Sequence, residues 1–136
     1  MTMQRIKEAA EKAKMELSSA TETDISLPFI DMGKDNPPIN FETHLTRLQF
    51  EEMTKDLFER TKEPIQKALQ DANLTIDMID DVLLDGESTE IPAIRLLLRD
   101  LFKKEPNSSI NPCYVVAIGA AYYGNFVNNN SNNKQF

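Results

Sequence analysis

The sequence predicts an α+β (α/β) fold, and three patterns predict it. Met3, Ile6, Ala10, Ala13 and Leu17 recur at steps of three and four, which places them on one stripe of a helix. Ile25, Leu27 and Phe29, and then Ile39, Phe41, Thr43 and Leu45, alternate with other residues as amphipathic strands do. Ile91, Ile94, Leu97, Leu98, Leu101 and Phe102 form a second strong helical stripe, preceded by the short apolar run Val82–Leu84.

The elements follow in order. The first helix carries Glu8 four residues before Lys12, a favourable ion-pair spacing, and ends in Ser18, Ser19 and Thr21. Pro28 has no amide hydrogen, so the first strand lies at an edge or makes few ladder bonds there. Gly33, Asp35, Asn36, Pro37 and Pro38 are loop chemistry, which makes the two strands an antiparallel hairpin with a long tip. Thr46-Arg47-Leu48-Gln49 fits a capping box, with Phe50, Met53, Leu57 and Phe58 continuing as a helical stripe. Pro64 should kink or restart that helix, and Ile65, Ala68, Leu69 and Ala72 carry its next face. Thr75 begins a short turn with Ile76 and Ile79. Val82–Leu84 reads as a buried strand before Gly86, and Pro92 suits the first turn of the helix after it. Asn111-Pro112 opens a last helix whose buried side is Val115, Val116, Gly119, Ala120 and Tyr123. Asn128 to Gln135 is almost all polar and reads as a disordered tail.

Composition excludes several functions. The 136 residues suit one ordinary domain, and 40% apolar content argues against disorder throughout. With 15 basic against 22 acidic residues and a net charge of -7, the chain lacks the basic stripe that nucleic-acid binding requires. No apolar run approaches the roughly 20 residues of a bilayer span, and the charged first residues do not read as a signal peptide. One Cys and one His cannot build a zinc site, and one Cys makes no internal disulfide.

The motifs carry little chemistry by themselves. Asp85-Gly86-Glu87-Ser88-Thr89 lies between a predicted strand and a predicted helix, where a turn can present amides to phosphate. Its acids equally suit a plain helix start, because they complement the helix dipole. The same carboxylates lack a calcium-loop series, so a solvated turn is the better reading than a Mg²⁺ or Ca²⁺ site. His44 falls on the polar side of a strand and reads as solvent-facing rather than as a catalytic base. Cys113, at a helix start, reads as a plain small residue. Glu11 and Lys14 read as the wet side of their helix.

Longer stretches add a resemblance. Gln4 to Ser19, Thr23-Asp24-Ile25 with Leu27-Pro28-Phe29, Leu45-Thr46-Arg47, Phe50-Glu51-Glu52, Arg60 to Pro64 and Lys67-Ala68-Leu69 closely resemble the DnaK-type, seventy-kilodalton heat-shock chaperones. Ser88-Thr89 with Ile91-Pro92 is similar to that family's second phosphate loop, and Ile110-Asn111-Pro112 with Val115 to Ala121 to its final helix. The likeness runs from Met3 to about Gly124 and is closest to the bacterial and organellar branch.

The resemblance implies part of an actin-like ATPase domain. Residues 1–72 would be the outer subdomain of its second lobe: helix, hairpin, helix. Residues 73–126 would be an incomplete inner subdomain, a strand with two or three packed helices, and residues 127–136 the tail. The first lobe, with the family's catalytic groups, and the peptide-binding domain would lie outside these residues, leaving no catalytic and no metal-binding residue here. Glu11, Lys14 and Ser18 match the helix that contacts adenosine, and Gly86 and Ser88 match the phosphate-loop positions. Four residues depart from the pattern: Glu87 replaces the loop's second glycine, Glu90 the arginine that stacks on adenine, Cys113 an aspartate, and Asp85 an apolar residue. Glutamate at the first two adds bulk and phosphate-like charge and removes a stacking cation, so ATP and ADP binding is expected to be weak or lost. The implied function is that of a chaperone-family nucleotide-binding segment, not catalytic by itself. The alternative is a degenerate relative acting as a structural or interaction subunit. A protein partner is expected: the other half of the ATPase domain, a nucleotide-exchange factor or a larger assembly. The expected location is the cytoplasm or the interior of a mitochondrion or plastid, without secretion.

Overall fold

A computed structural model describes residues 2–31 and 37–132, and the expected loop over Gly33, Asp35 and Asn36 lies outside the described residues. The chain divides into two units, Met1–Ala68 and Leu69–Phe136.

The first unit opens with α1 (Thr2–Ser19), followed by β1 (Glu22–Asp31) and β2 (Ile39–Thr46). The strands form the expected antiparallel hairpin, in a two-stranded sheet. Thr23 faces Leu45, Ile25 faces Thr43, and Leu27 faces Phe41, so these six share one face. Asp24 with His44 and Ser26 with Glu42 share the other. Helix α1 packs on the first face, where Ala13, Leu17 and Leu27 are buried. Leu17, at 1% exposure, is the centre of this core. Lys12 turns to Glu16, at 3.5 Å, rather than to Glu8, which accepts from the side chain of Gln4 at 2.9 Å.

Pro28 falls where β1 bulges, between the pairs Leu27–Phe41 and Asp31–Ile39. The bulge puts Phe29 at φ 52, a left-handed conformation uncommon for a residue with a side chain. Three bonds hold it there. The Arg5 guanidinium donates to the carbonyls of Pro28 at 2.6 Å and Phe29 at 2.8 Å, and the Phe29 amide donates to Asn40 Oδ1 at 2.9 Å.

The capping box forms at α2 (Arg47–Met53). The Gln49 amide donates to Thr46 Oγ1, and the Thr46 amide donates to Gln49 Oε1. Three short helices replace one long one: α2, α3 (Lys55–Arg60) and α4 (Lys62–Asp71). At the ends of the first two, Thr54 and Thr61 turn their hydroxyls back onto the carbonyls of Phe50 and Phe58. Pro64 accounts for the restart at Lys62. Its ring would collide with the carbonyl of Arg60 in a continuous helix, whereas the first turn of a new helix tolerates it.

The second unit is sparser. The expected strand at Val82–Leu84 is only a single parallel bridge, Leu83 to Asn107, and Leu83 is 70% exposed. The Asn107 amide donates to the Val82 carbonyl at 2.8 Å, and its side chain donates to Asp81 at 2.8 Å. With one neighbour and one bridge, three residues make no ladder. Leu84, Ile91 and Phe102 are buried around α5 (Pro92–Phe102), with Pro92 in its first turn as expected. The ε-ammonium of Lys104 donates to the Ile79 carbonyl. The Asn111 side chain accepts from the Cys113 amide at 2.8 Å, but the helix proper, α6 (Val115–Asn132), starts after a further turn. Its expected buried side is not buried: Val116, Gly119, Ala120 and Tyr123 are exposed. It also continues through Asn128 and Asn129 to Asn132, into residues whose composition reads as a tail.

Candidate functional site

Glu11, Lys14 and Ser18 recur at steps of three and four and therefore fall on one side of α1, flanking the buried Ala13–Leu17 line. The Lys14 ammonium sits 2.6 Å from Glu11 Oε1, and the Ser18 hydroxyl donates to the Lys14 carbonyl at 3.4 Å. The structure thus brings these three together. Lys14 and Ser18 are half-buried, and Glu11 is exposed.

Gly86 and Ser88 lie in the second unit, in a tight turn. Gly86 takes φ 85, which favours glycine, and its amide donates to the Pro112 carbonyl at 3.2 Å. A 3-10 turn over Glu87–Glu90 follows, and both the amide and the hydroxyl of Thr89 donate to the Gly86 carbonyl. The turn leaves Asp85, Glu87 and Ser88 exposed. A sequence reading misses one partner here: Glu90 pairs with Arg95 at 3.2 Å, so a neighbouring cation neutralises its charge. Arginine five residues after glutamate across a helix start is not a regular helical spacing, and only the turn's geometry joins them.

A second concave feature lies in the first unit. A groove of about 480 Å³ is lined by Ile6 and Ala10 of α1, by Phe41, Thr43 and Leu45 of β2 and by Met53 of α2. It is mostly apolar. No signal for it exists in the sequence, because its residues come from three elements far apart in the chain.

His44 is solvent-facing, as expected. Asp24 and Glu22 sit on the facing strand. Nδ1 is 2.8 Å from Asp24 Oδ1, and Nε2 is 3.4 Å from Glu22 Oε2. The hydrogen bond to Asp24 raises the imidazole pKa above its ordinary value, and the charges of Asp24 and Glu22 add to this. Glu16 shifts the other way, held below the usual carboxylate range mainly by a hydrogen bond from the Thr23 hydroxyl. Cys113 is exposed. No group of three or more potential metal ligands converges among the described residues, and no helix there is long and apolar enough to cross a membrane.

The Hsp70 protein family model matches residues 1–136, the whole chain. The chain belongs to the Hsp70 family. The relatives of this Hsp70 chain include the chaperone protein DnaK of Ureaplasma urealyticum, 52% identical over 124 residues. That match covers 91% of this chain and 21% of the relative. The chaperone protein DnaK of Cyanidioschyzon merolae is 55% identical over 119 residues, covering 88% of this chain and 19% of the relative. The chain therefore spans about a fifth of the length of the curated relatives it matches. Helices with a two-stranded antiparallel sheet, an α+β arrangement, are consistent with part of the Hsp70 actin-like ATPase domain.

Proposed function

We propose that the chain serves as a nucleotide-binding-domain segment of an Hsp70 chaperone that does not hydrolyse ATP by itself. The observation that carries this is the family match along all 136 residues. By that likeness, Glu11, Lys14 and Ser18 match the family's adenosine-contacting helix, and Gly86 and Ser88 match its phosphate-loop positions. The departures weaken both functions. Glu87 and Asp85 place exposed negative charge at the phosphate turn, and Glu90 is engaged with Arg95 instead of presenting a stacking cation.

ATP and ADP are therefore expected to bind this chain negligibly, and ATP turnover is expected to equal a buffer blank. Calorimetry at millimolar nucleotide and a phosphate-release assay check both. A micromolar dissociation constant would overturn the reading of Glu87 and Glu90, and turnover that is lost on heating would overturn the reading that this segment carries no catalytic group. Replacing them together (Glu87→Gly with Glu90→Arg) should recover measurable binding.

The second reading is a relative that works as a protein-interaction or structural subunit. It is favoured by the apolar residues that α6 leaves exposed, Val116, Tyr122, Tyr123 and Phe126, and by the lone bridge at Leu83. In both readings the chain works against a protein partner, whether the rest of an ATPase domain, an exchange factor or an assembly. The isolated chain is then expected to show weak amide protection along Val82–Leu84 and α6. Hydrogen exchange with sedimentation tests this. A monomer with strong protection along both segments would show that no partner is needed.

A further inference from the structure

We propose that His44 is a proton-operated clasp at the open end of the hairpin, whose imidazolium ties β2 to β1 and keeps Thr43 and Leu45 in the wall of the apolar groove. The geometry rests on the sheet register. Asp24 lies directly across from His44, and Glu22, which pairs with Thr46, lies diagonally across on the same face. One ring nitrogen reaches each acid, at 2.8 Å and 3.4 Å, so a doubly protonated ring bridges two positions of β1. The outer face presents Glu22, Asp24, Ser26, Glu42, His44 and Thr46, with no other cationic group among them. Glu42, two residues before His44 on the same strand, adds negative charge on that side and hydrogen-bonds Ser26 at 3.5 Å. Helix α1 packs on the opposite face, where its nearby acid, Glu16, takes the Thr23 hydroxyl instead.

The consequence for the groove follows from strand alternation. Thr43 and Leu45 flank His44 and point to the other face, where both line the groove, whose edge His44 also touches. Whatever fixes His44 against β1 also fixes these two. When the ring loses its proton, it can donate to only one acid, and the three carboxylates of the face are left without a cation. Across β1 and β2 on that face, the open end of the hairpin then keeps its backbone ladder but no side-chain cation.

The sign follows from linkage. The folded hairpin holds the His44 proton more tightly than an unfolded chain does. The stabilisation is therefore fully present below the ordinary imidazole pKa and is lost as pH rises through the folded value. Its size as a fold-change in the local opening constant is ten raised to the difference between the two pKa values. His44 is the single histidine in the chain, so this pH window isolates it.

The test uses NMR on the full 136-residue chain. The His44 ring is titrated, and amide protection is measured over residues 23–25 and 43–45 at about pH 5.5 and about pH 8. The expected result is a His44 pKa above 6.5 and weaker protection at the higher pH, by the fold-change that the measured pKa difference dictates. Asp24→Asn should bring the ring's pKa down and shrink the response, and His44→Gln should abolish it. Wild-type protection that stays flat across this window overturns the proposal without any variant. So does a response that survives in His44→Gln, or a ring pKa that Asp24→Asn leaves unchanged.

Discussion

Leu17→Ala is expected to destabilise the first unit by about 2–5 kcal/mol, the range for truncating a buried leucine. Leu17 is 1% exposed, the most fully buried large side chain described. It lies in the last turn of α1, on the face that packs against the hairpin, one helical turn from Ala13. The small neighbouring side chain of Ala13 cannot expand to fill the space that Leu17 leaves, so the cavity term adds to the lost transfer energy. A loss this large takes up much of the roughly 5–15 kcal/mol that holds an ordinary domain together. Urea unfolding followed by circular dichroism measures it, with Leu48→Ala as the control. Leu48 is 74% exposed on α2 and should change stability by no more than about 0.5 kcal/mol. A Leu17→Ala loss below about 1 kcal/mol would show that this core is not what holds the unit.

The same contrast explains what was legible in the sequence. In the first unit the elements form where the pattern puts them, and Ala13, Leu17 and Leu27 are buried where α1 meets the hairpin, although Met3, Ile6 and Phe41 stay exposed. The stripe from Met3 to Leu17 is continuous, and the strand alternation fixes which residues face α1. The capping box at Thr46 and Gln49 is a local device that needs no tertiary contact, and it forms as expected. The second unit departs where local pattern demands a partner. Val82, Leu83 and Leu84 have the composition of a buried strand, but a strand needs a ladder, and Asn107 supplies one bridge. The stripe of α6 is apolar for the same reason, and within its unit little covers it. Its run past Val127 shows helix continuing into asparagines, which have modest helix propensity but do not forbid it.

The candidate site was legible in pieces. Spacing places Glu11, Lys14 and Ser18 on one side of α1 and a turn at Gly86, but only the resemblance to the family marks them as ligand positions. What spacing did not reveal are contacts between residues far apart or off register. Glu90 with Arg95 crosses a helix start, Arg5 reaches the bulge at Phe29 from 24 residues away, and His44 meets Asp24 only once the hairpin register is set. The groove between α1, β2 and α2 is of the same kind. These features depend on tertiary closure, which periodicity does not encode.

Arg47→Ala is expected to cost about 1.5–3 kcal/mol, which places it with the largest effects outside the hydrophobic core. Helix α1 ends at Ser19, and past Glu16, whose carbonyl accepts from the Ala20 amide, the last carbonyls lack the regular helical partner. Arg47, 30 residues after Leu17, supplies one. Its Nε donates to the Leu17 carbonyl at 2.7 Å, and its Nη2 donates to the Ala20 carbonyl at 2.7 Å. Its own amide donates to the Thr21 carbonyl at 2.8 Å, which fixes the position from which the side chain reaches back. One guanidinium thus satisfies two orphan acceptors and places a positive charge at the negative end of the helix dipole. The bond to Leu17 is half-buried, so its loss leaves an acceptor with restricted access to water, whereas the Ala20 carbonyl is exposed and re-solvates readily. The estimate therefore counts the first bond in full and the second only in small part. Arg47→Lys separates charge from geometry: an ammonium keeps the dipole interaction but cannot span both carbonyls with a planar fork, so it should recover less than half of the loss. Urea midpoints for the wild type and both variants measure this, with hydrogen exchange at the end of α1 reporting where the unit loosens. Equal stability of Arg47→Ala and the wild type would mean that water caps α1 as well as the guanidinium does. Full recovery in Arg47→Lys would assign the effect to charge alone.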